Sequence, residues 1–182
     1  MSGTRSPRQP AGRREEILRA AVDVIADHGL AGATHRLIAE QAGVPLGSTT
    51  YYFPTLSDLT TTALEAAMAG YDDELDDWER FLRRSADVPA ALVELAAQYV
   101  DAGSTAIIEY ELYVAAAREL SLRPLAEQWV DRLSAILAPY AQAEAVAAVT
   151  MLLDGAIVQA IALGRPLDGD TLEAAIRAVI GA

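Results

Sequence analysis

A short run of hydroxyl-bearing side chains near the start of the chain offers hydrogen-bonding chemistry. The run reads Leu46-Gly47-Ser48-Thr49-Thr50-Tyr51-Tyr52 and directly follows Gly43-Val44-Pro45. Small hydroxyl groups let a helix lie deep in the major groove of DNA and bond to base edges or phosphates, and Gly47 permits a close backbone approach. The guanidinium fork of Arg36 suits phosphate or guanine. The alternative is that the serine and threonines are ordinary helix caps and that the tyrosines pack internally.

Three short helices are predicted to position this run. A first helix, from Arg13 to about His28, is predicted from apolar residues at helical spacing: Ile17, Leu18, Ala21, Val22 and Ile25. Thr34 can cap a second helix that ends near Ala42, and Gly43 can adopt the left-handed conformation of a sharp turn. The third helix is the run 46–52 itself, which Pro54 ends. The Gly-Val-Pro turn between the second and third helices is typical of a helix-turn-helix.

The rest of the chain is also predicted to be helical. Ser57 is expected to cap a long fourth helix, and the stripe that packs against other helices is Leu64, Met68, Tyr71, Leu75, Trp78 and Leu82. Further helices are predicted at about 88–103, 104–120, 122–140, 143–164 and 170–180. Asp170 and Glu173 resemble a capping box for the last of these. We therefore predict an all-α fold.

Charge is distributed unevenly along the chain. The net charge is −12, yet residues 1–50 contain six arginines and five acidic residues, so the acidic excess lies in the remainder. The arginine-rich residues 1–19 can meet phosphate groups. For residues 1–12 taken alone, a solvated disordered tail is the alternative.

Several protein classes are disfavoured by the composition. The chain contains no cysteine, which excludes disulfides and thiol catalysis, and with only His28 and His35 we expect no metal site. We find no Ser-His-Asp arrangement, phosphate loop or cofactor fingerprint, so we expect neither enzymatic activity nor a cofactor. The apolar stretch 143–163 is interrupted by Glu144 and Asp154. We expect a buried or interface helix there, no membrane association, and a cytoplasmic setting.

An ordered series of segments runs from Arg13 to about Met68: Ile17-Leu18-Arg19-Ala20-Ala21, His28-Gly29-Leu30, Thr34-His35-Arg36-Leu37-Ile38-Ala39-Glu40-Gln41-Ala42-Gly43-Val44, Gly47-Ser48, Tyr51-Tyr52-Phe53 and Leu59. This series strongly resembles the TetR family of bacterial transcriptional regulators. The resemblance implies an N-terminal three-helix helix-turn-helix domain plus a C-terminal helical domain for ligand binding and dimerisation. The expected boundaries are a flexible basic arm at 1–12, a DNA-binding domain at 13–58 and an effector-binding and dimerisation domain at 59–182.

The same resemblance implies function and partners. It implies a homodimer that binds a near-palindromic, double-stranded DNA operator, acts as a repressor by default, and is released by a small-molecule effector. The alternative function is a helical interaction protein that keeps this fold without autonomous operator recognition.

By position, the resemblance implies DNA contacts from Thr34, Arg36, Leu46, Gly47, Ser48, Thr50, Tyr51 and Tyr52, with Thr49 either contacting DNA or supporting them. Phe53 is expected to pack behind the third helix. The family often has lysine where Leu46 stands and again near Leu56. Their absence predicts weaker nonspecific binding, for which Arg5, Arg8, Arg13 or Arg14 can compensate.

The C-terminal half is predicted to bind both a second copy of the chain and an effector. The resemblance places the dimer interface on the helices 122–140 and 143–164, and the predicted interface residues are Leu125, Trp129, Leu133, Ile136, Val149, Leu153, Ile157 and Ala160. The opposite side of helix 143–164 also carries apolar residues, more than one core requires: Leu152, Ala156 and Leu163.

An effector pocket is predicted from aromatic and acidic residues in the same half. The predicted effector contacts are Trp78, Tyr99, Tyr110, Tyr113, Trp129 and Met151. Phe81 is a further candidate, and Glu109, Glu111 or Asp154 can supply polar contacts, which would favour a cationic ligand. The alternative is that these aromatic side chains only build the core.

Overall fold

Every regular element within residues 10–181 is a helix. The computed structural model describes these residues, with side chains for 12–103 and 106–181. In chain order the α-helices are α1 (Pro10–His28), α2 (His35–Ala42), α3 (Leu46–Tyr52), α4 (Leu56–Leu82), α5 (Val88–Ala102), α6 (Ser104–Ala116), α7 (Arg123–Leu137), α8 (Ala143–Leu163) and α9 (Gly169–Ile180), and short 3₁₀ turns cover Leu30–Gly32 and Leu120–Leu122. The predicted all-α fold is confirmed.

The chain divides into two compact units, Met1–Ala67 and Met68–Ala182. The division falls inside α4, further along the chain than the boundary expected between residues 58 and 59. α4 therefore supplies residues to both units.

The N-terminal unit is held together by a small aliphatic core. Ile17, Ile25, Ile38 and Leu59 are fully buried, and α2 packs against both α1 and α3. α1 begins at Pro10 rather than at the predicted Arg13. A proline is tolerated in the first turn of a helix because the missing N–H has no intrahelical partner there.

The turn that separates α2 from α3 follows the predicted chemistry. Thr34 Oγ1 accepts a hydrogen bond from the Leu37 backbone N–H at 3.1 Å and so caps α2. Gly43 has φ 63° and ψ 35°, a left-handed conformation that glycine adopts without steric cost. The Val44 N–H then donates to the Ala39 carbonyl at 3.0 Å, which closes the turn. α3 begins directly after Pro45, within the bounds predicted for it.

The start of α4 corrects one prediction. The Asp58 N–H donates to Thr55 Oγ1 at 3.0 Å, and the Thr55 N–H donates to Asp58 Oδ2 at 3.3 Å. This reciprocal pair is a capping box, so Thr55 caps the helix and Ser57 does not. The predicted stripe of α4 is buried throughout, from Leu64 to Leu82.

The C-terminal unit comprises the end of α4 and α5 to α9. α8 packs against α5, α7 and α9, while α6 packs against α5, α7 and α8. The salt bridges of Arg132 with Asp76 and with Glu79 join α7 to α4. α9 is capped by Asp168, whose Oδ1 accepts the Thr171 N–H at 3.2 Å, rather than by the predicted pair of Asp170 and Glu173. Because Asp168 lies directly before the first helical residue, its carboxylate reaches the free N–H groups of the first turn.

Candidate functional site

The outer face of α3 presents large side chains to solvent. Tyr51 is 81% exposed and Leu46 is 51% exposed. Tyr52 is half-buried, and its ring meets that of Tyr51 edge-to-face with 5.1 Å between centroids. Thr50 is exposed and Ser48 is half-buried. Because neighbouring exposed apolar surfaces mark interaction sites, this face is suited to a binding partner.

Gly47 in the first turn of α3 has no internal packing role. A Cβ added at this position would meet nothing within 4 Å. Glycine in a helix is less favourable than alanine by roughly 0.5–1 kcal/mol, so the residue weakens α3 without improving its packing. The missing side chain leaves the start of α3 open to a close approach from solvent.

Basic side chains flank α3 on two other helices. Arg36 is exposed in the first turn of α2, next to the capping residue Thr34. Arg14 of α1 is exposed, and its guanidinium lies 5.1 Å from the ring centroid of the buried Phe53. This cation–π contact fixes Arg14 against the end of α3. Arg13 is half-buried, and the predicted arm residues Arg5 and Arg8 lie outside the described residues.

Thr49 must be removed from the predicted contact set. Its side chain is fully buried, and its Oγ1 donates a hydrogen bond to the Leu46 carbonyl at 2.8 Å. α3 has a buried side as well as an exposed one, and Thr49 lies on the buried side. It supports the helix instead of reaching a ligand.

Four aromatic side chains from three helices form a contact chain inside the C-terminal unit. Tyr99 of α5 stacks on Trp129 of α7 with 5.7 Å between centroids, and it meets Trp78 of α4 edge-to-face at 6.0 Å. Tyr71 of α4 meets Trp129 edge-to-face, with 5.8 Å between centroids. We call these four residues the aromatic cluster. Tyr71 is predicted from the sequence only as part of the packing stripe of α4, although its seven-residue spacing from Trp78 puts both rings on one helix face.

A carboxyl group is buried beside this cluster. Glu109 of α6 is 1% exposed, and its Oε2 accepts a hydrogen bond from the Tyr99 hydroxyl at 2.7 Å. Burial raises the pKa of Glu109 to about 8, a rise that the Tyr99 hydrogen bond opposes and nearby Asp154 reinforces. Burial also raises the pKa of Asp154 to about 6.

The remaining predicted effector residues separate into two groups. Tyr110 and Tyr113 lie on α6 beside Glu109, with their rings 6.0 Å apart, and the Tyr110 hydroxyl donates to the Asp154 carbonyl at 3.2 Å. Met151 does not join them, because it is 72% exposed and lines a surface groove between α8 and α9. The prediction that Met151 lines the same pocket is wrong because the residue lies on the outer side of α8.

Two surface depressions reach residues of this region. One, of about 410 Å³, includes Glu74, Trp78 and Phe81. The other, of about 340 Å³, includes Tyr113 and Val130.

Comparison with known protein families decides the identity of the fold. Residues 17–60 match the N-terminal domain of the bacterial regulatory proteins of the tetR family, and residues 83–182 match a tetracyclin repressor-like C-terminal domain. The chain belongs to the TetR family. It is therefore a DNA-binding transcriptional regulator with a helix-turn-helix, which α2, the Gly43 turn and α3 form.

Individual relatives of this TetR-family regulator agree with that assignment. An HTH-type transcriptional regulator of Mycobacterium tuberculosis is 31% identical over 132 residues, which cover 68% of this chain and 65% of the relative. The match thus spans slightly less than two thirds of that relative. Over 59 residues, the chain is 39% identical to the HTH-type transcriptional repressor KstR2 of Mycolicibacterium smegmatis, which covers 32% of this chain and 29% of KstR2.

Solved structures resemble the TetR-family regulator over nearly its whole length. A member of the TetR family from Streptomyces coelicolor is 34% identical, with a TM-score of 0.79, covering 92% of this chain and 98% of that one. The multidrug-binding protein EbrR in complex with ethidium is 33% identical, with a TM-score of 0.79, covering 97% of this chain and 100% of that one. EbrR has also been solved with proflavin and with malachite green.

The predicted dimer residues of this TetR-family regulator are core residues. All of them except the half-buried Leu125 are buried within one chain: Trp129, Leu133, Ile136, Val149, Leu153, Ile157 and Ala160. An apolar stripe at helical spacing has the same appearance whether it faces its own core or a second subunit, so the assignment of these residues to a dimer interface stays a prediction.

Another face of α8 is apolar and exposed. Met151 and Leu163 are 72% and 60% exposed, and Val158 is also exposed. The groove between α8 and α9, of about 260 Å³, also includes Leu152 and Ala156, two apolar residues that exceed what one core requires on the sequence pattern alone. By length and composition alone α8 could cross a membrane, with a mean hydropathy of 2.0 in its most apolar window, and only 33% of that window is buried.

Proposed function

We propose that the protein is a homodimeric repressor that acts in the cytoplasm, binds a near-palindromic operator, and is released by a planar aromatic cation. The exposed face of α3 is the observation that carries the DNA-binding part of this proposal. Tyr51 and Leu46 remain in solvent, and Gly47 clears the space between them and a bound duplex.

In the proposed complex, α3 enters the major groove. Ser48 and Thr50 reach base edges or nearby phosphates, and Tyr51 extends its hydroxyl to the phosphate backbone. Arg36, from the first turn of α2, pairs with phosphate or guanine. Arg14, held against Phe53, supplies a phosphate contact that replaces the lysine absent at Leu46.

A second copy of the chain is the proposed occupant of the exposed α8 face. Burial of apolar surface stabilises association by about 25 cal/mol per Å², and the exposed Met151, Val158 and Leu163 supply such surface. Gly155 supports a close helix approach, because a Cβ there would meet nothing within 4 Å. The proposed dimer forms through a two-fold interface of α8 and α9. Because a two-fold dimer presents two identical α3 helices, the proposed operator is near-palindromic.

The effector class follows from the chemistry beside the aromatic cluster. Flat rings stack on aromatic side chains, and buried carboxyl groups attract positive charge. Glu109, Asp154 and Glu74 supply the acidic groups. The complexes of EbrR with ethidium and proflavin support the same class, since both are cations with a flat fused ring system, and malachite green is an aromatic cation as well.

α4 is the proposed lever between effector and DNA. Tyr71 and Trp78 belong to the aromatic cluster, and the fully buried Leu59 of the same helix packs in the N-terminal unit. A ligand that separates the rings would shift α4 and favour a dimer whose α3 helices no longer match the operator. Its effect on DNA affinity cannot exceed its difference in affinity for the two conformations.

The test is selection of bound duplexes from a random DNA pool, followed by measurement of affinity against salt. We expect an enriched palindrome, weakened by Arg36→Ala and Tyr51→Ala and unaffected by Arg118→Ala, which removes an exposed arginine from the C-terminal unit. Ethidium should release the DNA from wild type more readily than from Glu109→Gln, since direct intercalation of the dye into the duplex affects both complexes alike. No enrichment at low or moderate salt would refute autonomous operator recognition and favour the interaction-protein alternative.

A further inference from the structure

Glu109 is surrounded by acidic and aromatic groups from every helix packed against it. The described titratable groups that face it are Tyr71 and Glu74 of α4, Tyr99 of α5, Tyr110 and Tyr113 of α6, and Asp154 of α8. α7 contributes Trp129, which does not titrate. The described charged groups that act on Glu109 are thus acidic, and none of them neutralises its charge.

Three buried polar atoms around Glu109 have no hydrogen-bond partner. They are Glu109 Oε1, Tyr113 Oη of the same helix, and Trp129 Nε1, which belongs to the ring that stacks on Tyr99. Tyr113 is close enough to influence the pKa of Glu109, yet the two side chains do not have hydrogen-bond geometry. An ionised carboxylate with an unpaired oxygen among aromatic rings would be strongly destabilised. Unpaired buried polar groups require an explanation, and a ligand that supplies the missing partner is one.

We propose that Glu109 is protonated in the ligand-free protein and exchanges this proton for the positive charge of the effector. The O–H bond of the carboxyl group breaks, the proton passes to solvent, and the carboxylate pairs with the incoming cation, so the net charge of the site is unchanged. The inference rests on the proposed effector class and adds the way in which the site accepts charge. The direction of the pKa shift at Glu109, upward to about 8, agrees with it.

Proton exchange predicts a dependence of effector affinity on pH. At pH 7 a carboxyl group with a pKa of about 8 is roughly 90% protonated, and at pH 9 it is roughly 10% protonated. Because the cation binds to the ionised form, its affinity should rise about tenfold from pH 7 to pH 9. Asp154, with a pKa of about 6, is largely ionised over this range and contributes little to the change.

Calorimetric titration with ethidium tests the exchange directly. Ethidium is permanently charged, so any proton released on binding must come from the protein. Binding enthalpies in phosphate and in Tris at the same pH differ by the number of protons released multiplied by the difference between the ionisation enthalpies of the two buffers. We expect about 0.9 proton at pH 7 and about 0.1 at pH 9, from the same protonation fractions. Phenanthridine, the uncharged parent ring, should release none.

Two matched variants locate the proton. Glu109→Gln should bind ethidium more weakly, with no proton release and with no rise in affinity between pH 7 and pH 9. Glu94→Gln makes the same chemical change at an exposed position of α5 and should behave as wild type. If Glu109→Gln does not fold, infrared difference spectra of the wild type should show loss of a protonated carboxyl band when ethidium binds.

The outcomes separate this inference from the proposed function. Ethidium binding with equal enthalpies in both buffers at pH 7 would overturn proton exchange and leave the effector class intact. Undiminished release from Glu109→Gln, or an unchanged carboxyl band in the wild type, would overturn Glu109 as the source. Failure of the wild type to bind ethidium would overturn the effector class and this inference together.

Discussion

Replacing Gly47 with alanine should make the protein more stable and a weaker DNA binder. The new Cβ would meet nothing within 4 Å in the free protein. Alanine is favoured over glycine by about 0.5–1 kcal/mol inside a helix, and the second position of α3 should give the lower end of that range. The expected gain of about 0.5 kcal/mol corresponds to a rise in Tm of roughly 1–2 °C for a chain of this size.

The same methyl group should obstruct the approach of α3 to a duplex. Each good base contact contributes about 1–3 kcal/mol of discrimination. If the displaced helix loses one such contact, operator affinity should fall about tenfold or more. Stability and affinity are thus expected to change in opposite directions. A general loss of folding would lower both quantities, so the two effects can be told apart.

Gly70→Ala is the matched control, since Gly70 is exposed within α4 and its added Cβ also meets nothing within 4 Å. It should stabilise the protein by up to about 1 kcal/mol and leave operator affinity unchanged. Thermal unfolding followed by circular dichroism, together with mobility shifts on the selected operator, measures both quantities. If Gly47→Ala binds the operator as tightly as wild type and Gly70→Ala, the assignment of Gly47 to close DNA approach is refuted.

Three further substitutions test other parts of the proposal. Arg36→Ala should reduce the slope of log affinity against log salt by about 1, as loss of one phosphate contact requires. Arg118→Ala should leave the slope unchanged. An unaltered slope for Arg36→Ala would mean that this side chain does not contact phosphate. Met151→Glu should weaken dimerisation about 100-fold or more in sedimentation experiments, because it buries an unpaired charge in the proposed interface. Leu120→Glu, at another exposed apolar position, should leave dimerisation unchanged. An intact Met151→Glu dimer would contradict the α8 interface. Between pH 5 and pH 8, the unfolding free energy of wild type should fall relative to that of Glu109→Gln by up to about 1.4 kcal/mol per pH unit. In this range the carboxyl group has lost its proton in the unfolded chain and keeps it in the folded one. If urea unfolding gives the same free-energy difference between the two proteins at pH 5 and at pH 8, the raised pKa of Glu109 is refuted.

The helix-turn-helix was predictable because its signals are local. Thr34 caps the next residues along the chain, and Gly43 determines a turn through its own backbone conformation. Both effects act over a few residues, so the residue type at each position is enough to predict them. The predicted helix cap was wrong only where two candidate residues lie close together in the sequence, as Thr55 and Ser57 do. There the backbone geometry determines which residue caps the helix.

The division of α8 between a core face and an exposed apolar face was not predictable from the same kind of pattern. Leu153 and Ile157 are core residues, whereas Met151 and Val158 of the same helix are exposed, and all four are apolar. Which side of α8 faces its own chain depends on α5, α7 and α9, whose packing brings together residues distant in sequence. The excess of apolar residues on α8 was visible in the sequence, but its division between core and surface needed the fold.

The placement of the tryptophans gives this chain an internal optical probe. The sequence contains two tryptophans, Trp78 and Trp129, and both contact Tyr99 in the aromatic cluster. Selectively excited intrinsic fluorescence therefore reports on the neighbourhood of Glu109, while the N-terminal unit contributes no indole emission. A ligand that enters between the rings should quench or shift this emission without any label, whereas DNA bound to α3 alone should leave it unchanged. A spectral response to operator DNA would then be a direct optical signal of coupling between the two sites.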